Sequence, residues 1–196
     1  MKIFVMVDME GISGIYTSTQ VNRTGEHYAE GRRFMTDDVN ACVEGCVRGG
    51  AKKIVVRDAH SSGCNLLWER LSEKAEYIQG TSLLERMPDI SGFDGLILLG
   101  YHAMAGTRNG VLEHTMSSRR WQNFRMNGTL SGEIAIDGGI AADHGVPMIM
   151  TSGDDKLCRE SRRFFPDAVT VQVKKGLTCQ GARLLPPQQA RSRITK

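Results

Sequence analysis

The chain has 196 residues, 40% of them hydrophobic and 24% charged. That size and make-up suit a domain that buries its own core and exclude disordered, collagen-like and disulfide-dense classes. A net charge of +3 is too small and too scattered for a nucleic-acid surface, and no apolar run is long enough for a bilayer. The five cysteines are an odd number with no CxxC pair. The first residues run straight into a strand pattern with no secretion signal, so the expected compartment is a reducing cytoplasm.

Ile3-Phe4-Val5-Met6-Val7 is continuous and β-rich, the pattern of a central strand covered on both faces. Met35, Val39, Cys42, Val43, Cys46 and Val47 follow helical spacing, and Gly49-Gly50 is a natural stop. Ile54-Val55-Val56 is a second buried strand, and a strand–helix–strand order of this length makes the two strands parallel. Leu96-Ile97-Leu98-Leu99 is a third. Asn127-Gly128, between Phe124-Arg125-Met126 and Thr129-Leu130, predicts a hairpin, because both turn positions need positive φ. A helix is expected over 133–144, stopped by Gly145. Val146-Pro147-Met148-Ile149-Met150 is a fourth strand, with Pro147 tolerated at its start. Asp154 caps a helix that ends before Pro166, and Val169-Thr170-Val171-Gln172-Val173 is a fifth strand.

The expected fold is therefore α/β: a mainly parallel sheet of about five strands flanked by helices, with a small inserted β-hairpin. Residues 1–183 are assigned to this domain. Residues 184–196, where Pro186-Pro187 lead into a basic end, are expected to be a polar, mobile tail.

Parallel sheets bind ligands beyond the carboxyl ends of their strands. Asp8-Met9-Glu10 follows the first strand, Asp58-Ala59-His60 the second and Gly100-Tyr101-His102 the third. The hairpin delivers Ser131-Gly132-Glu133, and the fourth strand ends in Ser152-Gly153-Asp154-Asp155. Imidazoles and carboxylates thus collect at one sheet edge. Such a mixed nitrogen and oxygen set suits zinc, manganese or cobalt, and a divalent cation relieves the mutual repulsion of the carboxylates. Asp8, leaving a buried central strand, is placed to bridge two metals. Taken singly, an Asp at a strand end caps or turns, and a lone His is a satisfied polar residue; the cluster carries the metal reading. Cys64, close after His60, is not needed as a ligand by an oxygen-rich set. HExxH, GxGxxG, the P-loop and GxSxG are all absent from the sequence.

Val7-Asp8-Met9-Glu10-Gly11-Ile12-Ser13-Gly14 strongly resembles the N-terminal signature of the zinc-dependent D-aminopeptidases of the DppA type. Asp58-Ala59-His60-Ser61, Leu98-Leu99-Gly100-Tyr101-His102-Ala103, Glu113-His114-Thr115-Met116, Asn127 to Glu133, and Ser152-Gly153-Asp154-Asp155 resemble further blocks of that family, in order. The resemblance implies a two-zinc aminopeptidase acting on small peptides with D-residues at the N-terminus, for example D-Ala-D-Ala, through a water activated at the metals. It implies Asp8 as the shared ligand, Glu10 and His60 completing one metal, His102 and Glu133 the other, and His114 as the catalytic histidine. His27 and His144 match no functional position. The family also implies a homo-oligomer, a ring-shaped decamer, with neither nucleic acid nor membrane as partner. Family members continue beyond the point matching Lys196, and assembly, channel shape and part of the substrate pocket are the features that this further segment bears on. Two other readings stay open: a non-catalytic metal-binding or assembly module, and a two-metal hydrolase of another small amide or a phosphoester.

Overall fold

A computed structural model of the chain describes residues 1–82 and 85–196. In chain order the elements are β1 (Lys2–Val7), α1 (Tyr28–Arg48), β2 (Lys53–Asp58), β3 (Glu76–Ile78), β4 (Gly95–Leu99), β5 (Arg125–Met126), β6 (Thr129–Leu130), α2 (Glu133–Asp143), β7 (Met148–Asp154), α3 (Asp155–Phe164), β8 (Val169–Thr178), β9 (Gly181–Leu184) and α4 (Pro187–Thr195). One seven-stranded sheet runs β3-β2-β1-β4-β7-β8-β9, and β5-β6 form a separate antiparallel hairpin. Every pairing in the large sheet is parallel except β8 with β9.

The strand β1 lies at the centre because it is apolar on both faces. Val5 and Val7 point to a core shared with Met35, Val39 and Val43 of α1 and Ala190 and Ile194 of α4. Phe4 and Met6 point the other way, to Ile134 and Ala141 of α2 and Leu157 of α3. This is the alternation of a strand sandwiched between two helical layers, and each large side chain fully buried there contributes roughly 1.5–3 kcal/mol. Asp154 caps α3 as expected, accepting from the amides of Lys156 and Leu157.

The mainly parallel α/β sheet with flanking helices and a small hairpin matches the expectation from sequence, with two differences. The sheet has seven strands rather than about five, because β3 is only three residues, one exposed and two half-buried, and β9 is an edge strand of mixed burial. The expected polar, mobile tail at 184–196 is instead the end of β9 followed by a packed helix. Pro187 sits in the first turn of α4, where its missing amide hydrogen costs nothing, and Ala190 and Ile194 are buried against the α1 layer. No helix among the described residues is long and apolar enough to cross a membrane.

Candidate metal centre

The carboxyl edge of the sheet is where the chain leaves β1, β2 and β4 side by side, and register pairs Val7 with both Asp58 and Leu99. Asp8 continues the ladder for one more residue, its amide donating to Leu99 O at 2.9 Å. The chain then turns across the neighbouring strand end, where Gly11 N donates to Gly100 O at 2.7 Å. A Cβ at Gly11 would run into Tyr101 O, so only glycine permits the approach. The loop is fixed from below by Lys174. Its buried ammonium donates to the carbonyls of Glu10, Ile12 and Ile15 at 2.6, 2.9 and 2.7 Å. Ser13 adds two bonds to the buried Asp38.

Two triads of potential ligand atoms face each other here: Asp8, Glu10 and His60, and His102, His114 and Glu133. In the first, His60 Nδ1 lies 3.1 Å from Asp8 Oδ1 and 3.1 Å from Glu10 Oε2. Its other nitrogen, Nε2, donates to Val21 O at 3.0 Å. Asn65 steadies this segment by bonding both His60 O and the buried Asp58. In the second, His102 Nε2 is 3.3 Å from Glu133 Oε1 and 3.3 Å from Asp8 Oδ2. Asp8 therefore turns one oxygen toward each triad. His114 stacks on His102, with ring centroids 4.0 Å apart, and its Nε2 is 3.6 Å from Glu133 Oε1.

His102 and His114 follow the same rule as His60. Their Nδ1 atoms donate to Ala103 O and Leu112 O, leaving Nε2 for the carboxylates. Imidazoles that bind metals are commonly held this way, by a main-chain carbonyl on the far nitrogen. His114 is presented by a loop in which Leu112 and Met116 have φ of 51° and 58°, an uncommon state for such side chains. Hydrogen bonds from Leu112 N to Cys179 O and from Met116 N to Glu133 Oε1 hold both turns.

The electrostatics call for more positive charge. Burial pushes Asp8 up, but its contacts with His102 and His60 outweigh that and hold it well below the usual carboxylate range. Burial opposes a charged His60, yet Glu10 and Asp8 push it up to about 12. Glu133 and Asp8 likewise raise His102 against burial, and His102 in turn lowers Glu133. Without a metal, imidazolium protons balance the carboxylates; a divalent cation would take their place. Asp8 Oδ2, Glu10 Oε2 and His102 Nε2 are buried and, among the described residues, make no aligned hydrogen bond. Such orphaned atoms are costly in a closed core, and their convergence fits a metal.

The five expected ligands and His114 are thus brought together. Asp58, Asp154 and Asp155 are not: Asp58 and Asp154 accept from backbone amides as loop and cap anchors, and Asp155 bonds Gly176 N and Lys156. Cys64 is exposed and lies outside both triads. His27 and His144 sit at helix ends. Sequence reasoning missed Lys174 and Arg86. A register shift between Gly153 and Asp154 turns Lys174 inward, which strand alternation cannot foretell. Arg86 gave no motif signal at all.

A parallel α/β sheet carrying carboxylates and imidazoles of this arrangement at its carboxyl edge makes a candidate metal centre of the kind that metal-dependent hydrolases use. The sequence matches the Peptidase_M55 family, described as D-aminopeptidase, over residues 1–196. It is 34% identical over 200 residues to the D-aminopeptidase of Bacillus subtilis (strain 168), covering 100% of this chain and 72% of that one. The fold matches the solved Zn-dependent D-aminopeptidase DppA from Bacillus subtilis, a self-compartmentalizing protease, with a TM-score of 0.94 at 33% identity, over 100% of this chain and 71% of the other. The chain belongs to the D-aminopeptidase family of metallo-aminopeptidases.

Proposed function

We propose that this protein hydrolyses the N-terminal residue from small peptides, D-Ala-D-Ala among them, at a centre of two zinc ions bridged by Asp8. The observation that carries the reading is the placement of the Asp8 carboxylate, with Oδ1 facing His60 and Oδ2 facing His102. Glu10 and His60 would complete one site, and His102 and Glu133 the other. Zinc held there would supply Lewis acidity and lower the pKa of water toward neutrality.

The chain's own residues supply the rest. A cavity of about 720 Å³ opens above the triads, with Glu10, Glu113 and Glu133 on its walls. Of these, Glu113 is not one of the proposed zinc ligands and offers a charge partner to a peptide whose α-amine is free and cationic. His114, its Nδ1 proton fixed on Leu112 O, directs Nε2 at the reacting carbonyl. There it takes a proton from the attacking water and returns it to the departing amine, so that Nε2 ends the cycle as it began. Met116 N, donating to Glu133 Oε1 at 2.8 Å, holds that carboxylate in place. Preference for D-residues and assembly as a homo-oligomer, a decamer in the family pattern, are carried over from the family. Five cysteines without a disulfide support a reducing, cytoplasmic setting.

The test is release of D-Ala from D-Ala-D-Ala, compared with L-Ala-L-Ala, with metal counted per chain. Cleavage of the D-dipeptide that a chelator abolishes and zinc restores, at two zinc ions per chain, is the expected result. A zinc-loaded protein that cleaves neither dipeptide would leave only a binding module. His114→Ala should keep both metals and lose at least about a hundredfold in kcat, the scale of one lost acid–base group. Loss of metal in that variant would make His114 a ligand instead.

A further inference from the structure

The cavity above the triads shares Ala59, Ser61 and Arg86 with an adjoining annex of about 330 Å³. Arg86 is rigidly held. Its Nε and Nη2 grip the two oxygens of Asp137, the second at 2.8 Å, and Tyr101 OH donates to the same carboxylate at 2.6 Å. Asp137 is fully buried, so the guanidinium is fixed from behind while it lines the cavity in front. Its Nη2 stands 3.8 Å from Glu133 Oε2.

A second cation faces the annex. Arg57, on β2, is 8% exposed and also lines it. Its Nη2 donates to Ser82 Oγ at 3.1 Å, while its buried Nε has no hydrogen-bond partner among the described residues. Burial and the like charge of Arg86 push Arg57 below its ordinary range, against the pull of Asp58. The nearby acids answer this charge only at a distance: Asp58 pulls on it, and none forms an ion pair with it among the described residues. Asp137 is taken by Arg86, Asp58 accepts from the amides of Asn65 and Leu66, and Glu85 is exposed. Two guanidiniums on one small cavity, one with an orphaned donor, make a place for an anion.

The distance suits a peptide. One extended residue spans roughly 3.3–3.6 Å. A peptide whose scissile carbonyl sits beside Glu133 therefore brings the next carboxylate level with Arg86. Arg23 and Arg119 also border the main cavity, but both are exposed and solvent weakens their pull.

We propose that Arg86, backed by Arg57 across the annex, is the subsite for the free carboxylate of the residue that follows the scissile bond. The enzyme then selects peptides unblocked at both ends and short enough to span from the triads to the annex. This inference rests on the aminopeptidase reading above.

The experiment compares D-Ala-D-Ala with D-Ala-D-alaninamide on zinc-loaded protein. The native enzyme should favour the free carboxylate by about ten- to a hundredfold in kcat/KM, the value of a charge-assisted hydrogen bond, expressed mainly in KM. Replacing Arg86 alone would strand the buried Asp137 carboxylate, so the variant is Arg86→Met with Asp137→Asn, which keeps the Tyr101 contact. In it the preference should fall to about one, and in Arg57→Met to an intermediate value, with zinc content and melting temperature checked in each. Cleavage of both substrates without preference, or a preference that survives both variants, overturns the subsite and leaves the aminopeptidase reading intact. Cleavage of neither by the native enzyme overturns that reading, and the subsite with it.

Discussion

The two triads are built differently. Asp8, Glu10 and His60 come from the ends of β1 and β2, adjacent strands in register, and the loop that carries Glu10 is tied down by Lys174. This half is an extension of the sheet. His102, His114 and Glu133 come from the end of β4, an irregular loop and the first residue of α2. They are joined by bonds that loop makes, such as Met116 N to Glu133 and Ala105 N to Thr115 Oγ1 at 3.2 Å. The first half inherits its geometry from regular structure, which is the precise way to hold a site. The second depends on how a strained loop is settled, and that loop presents His114, the histidine proposed above to move a proton.

Breaking the link between the halves should have the largest effect. Asp8→Asn keeps size but removes the charge that both triads share, so zinc should fall at both positions. Activity should drop beyond the roughly 10–100-fold typical of losing an outer partner, read by metal content and kcat/KM. Retention of either zinc would show that the halves are independent. Lys174→Met should act on one half only. It leaves the carbonyls of Glu10 and Ile15 without their donor, at a cost of about 2–4 kcal/mol in denaturant unfolding. It should weaken the zinc of the first triad while sparing the second. Burial pulls Lys174 down to about 7, against Asp154, Asp38 and Glu10; the three carbonyls that accept from it further favour the ammonium.

The smallest effect concerns the second half and pH. Glu160 accepts from Met104 N at 2.8 Å beside His102, and burial pushes its carboxyl from 4.5 up to about 7. Between those values the folded protein holds a proton that the unfolded chain has lost. Stability should therefore fall as pH rises from about 4.5 to about 7 and level off above. Glu160→Gln lacks this group, so its stability should gain on the native protein through that window. Parallel curves of stability against pH for the two proteins would remove Glu160 from the account.

The site was legible in the sequence to the extent that it follows from the sheet. Asp8, Glu10, His60 and His102 stand directly after apolar runs, and the Asn127-Gly128 turn announced the segment that delivers Glu133. His114 came only from resemblance to a family, because no periodicity governs its loop. Arg86 and Asp137 were hidden for a related reason: their pairing spans 51 positions and leaves no local trace. Lys174 was hidden by a bulge that reverses which face a strand residue takes. The last helix was misread because Pro186-Pro187 resembles a linker, although proline in a first turn is equally a helix start.

Gly11 and Gly100 draw the strand ends of the two halves together, main chain to main chain, with no side chain between them. The span from one triad to the other is thus set by covalent geometry and by two main-chain bonds beyond the strand ladder, Asp8 N to Leu99 O and Gly11 N to Gly100 O. Ions of different radius would have to be accommodated by torsion of the ligand side chains, since the backbone frame has no slack to widen. A methyl group added at residue 11 would act as a wedge, prising the two triads apart from a position that belongs to neither.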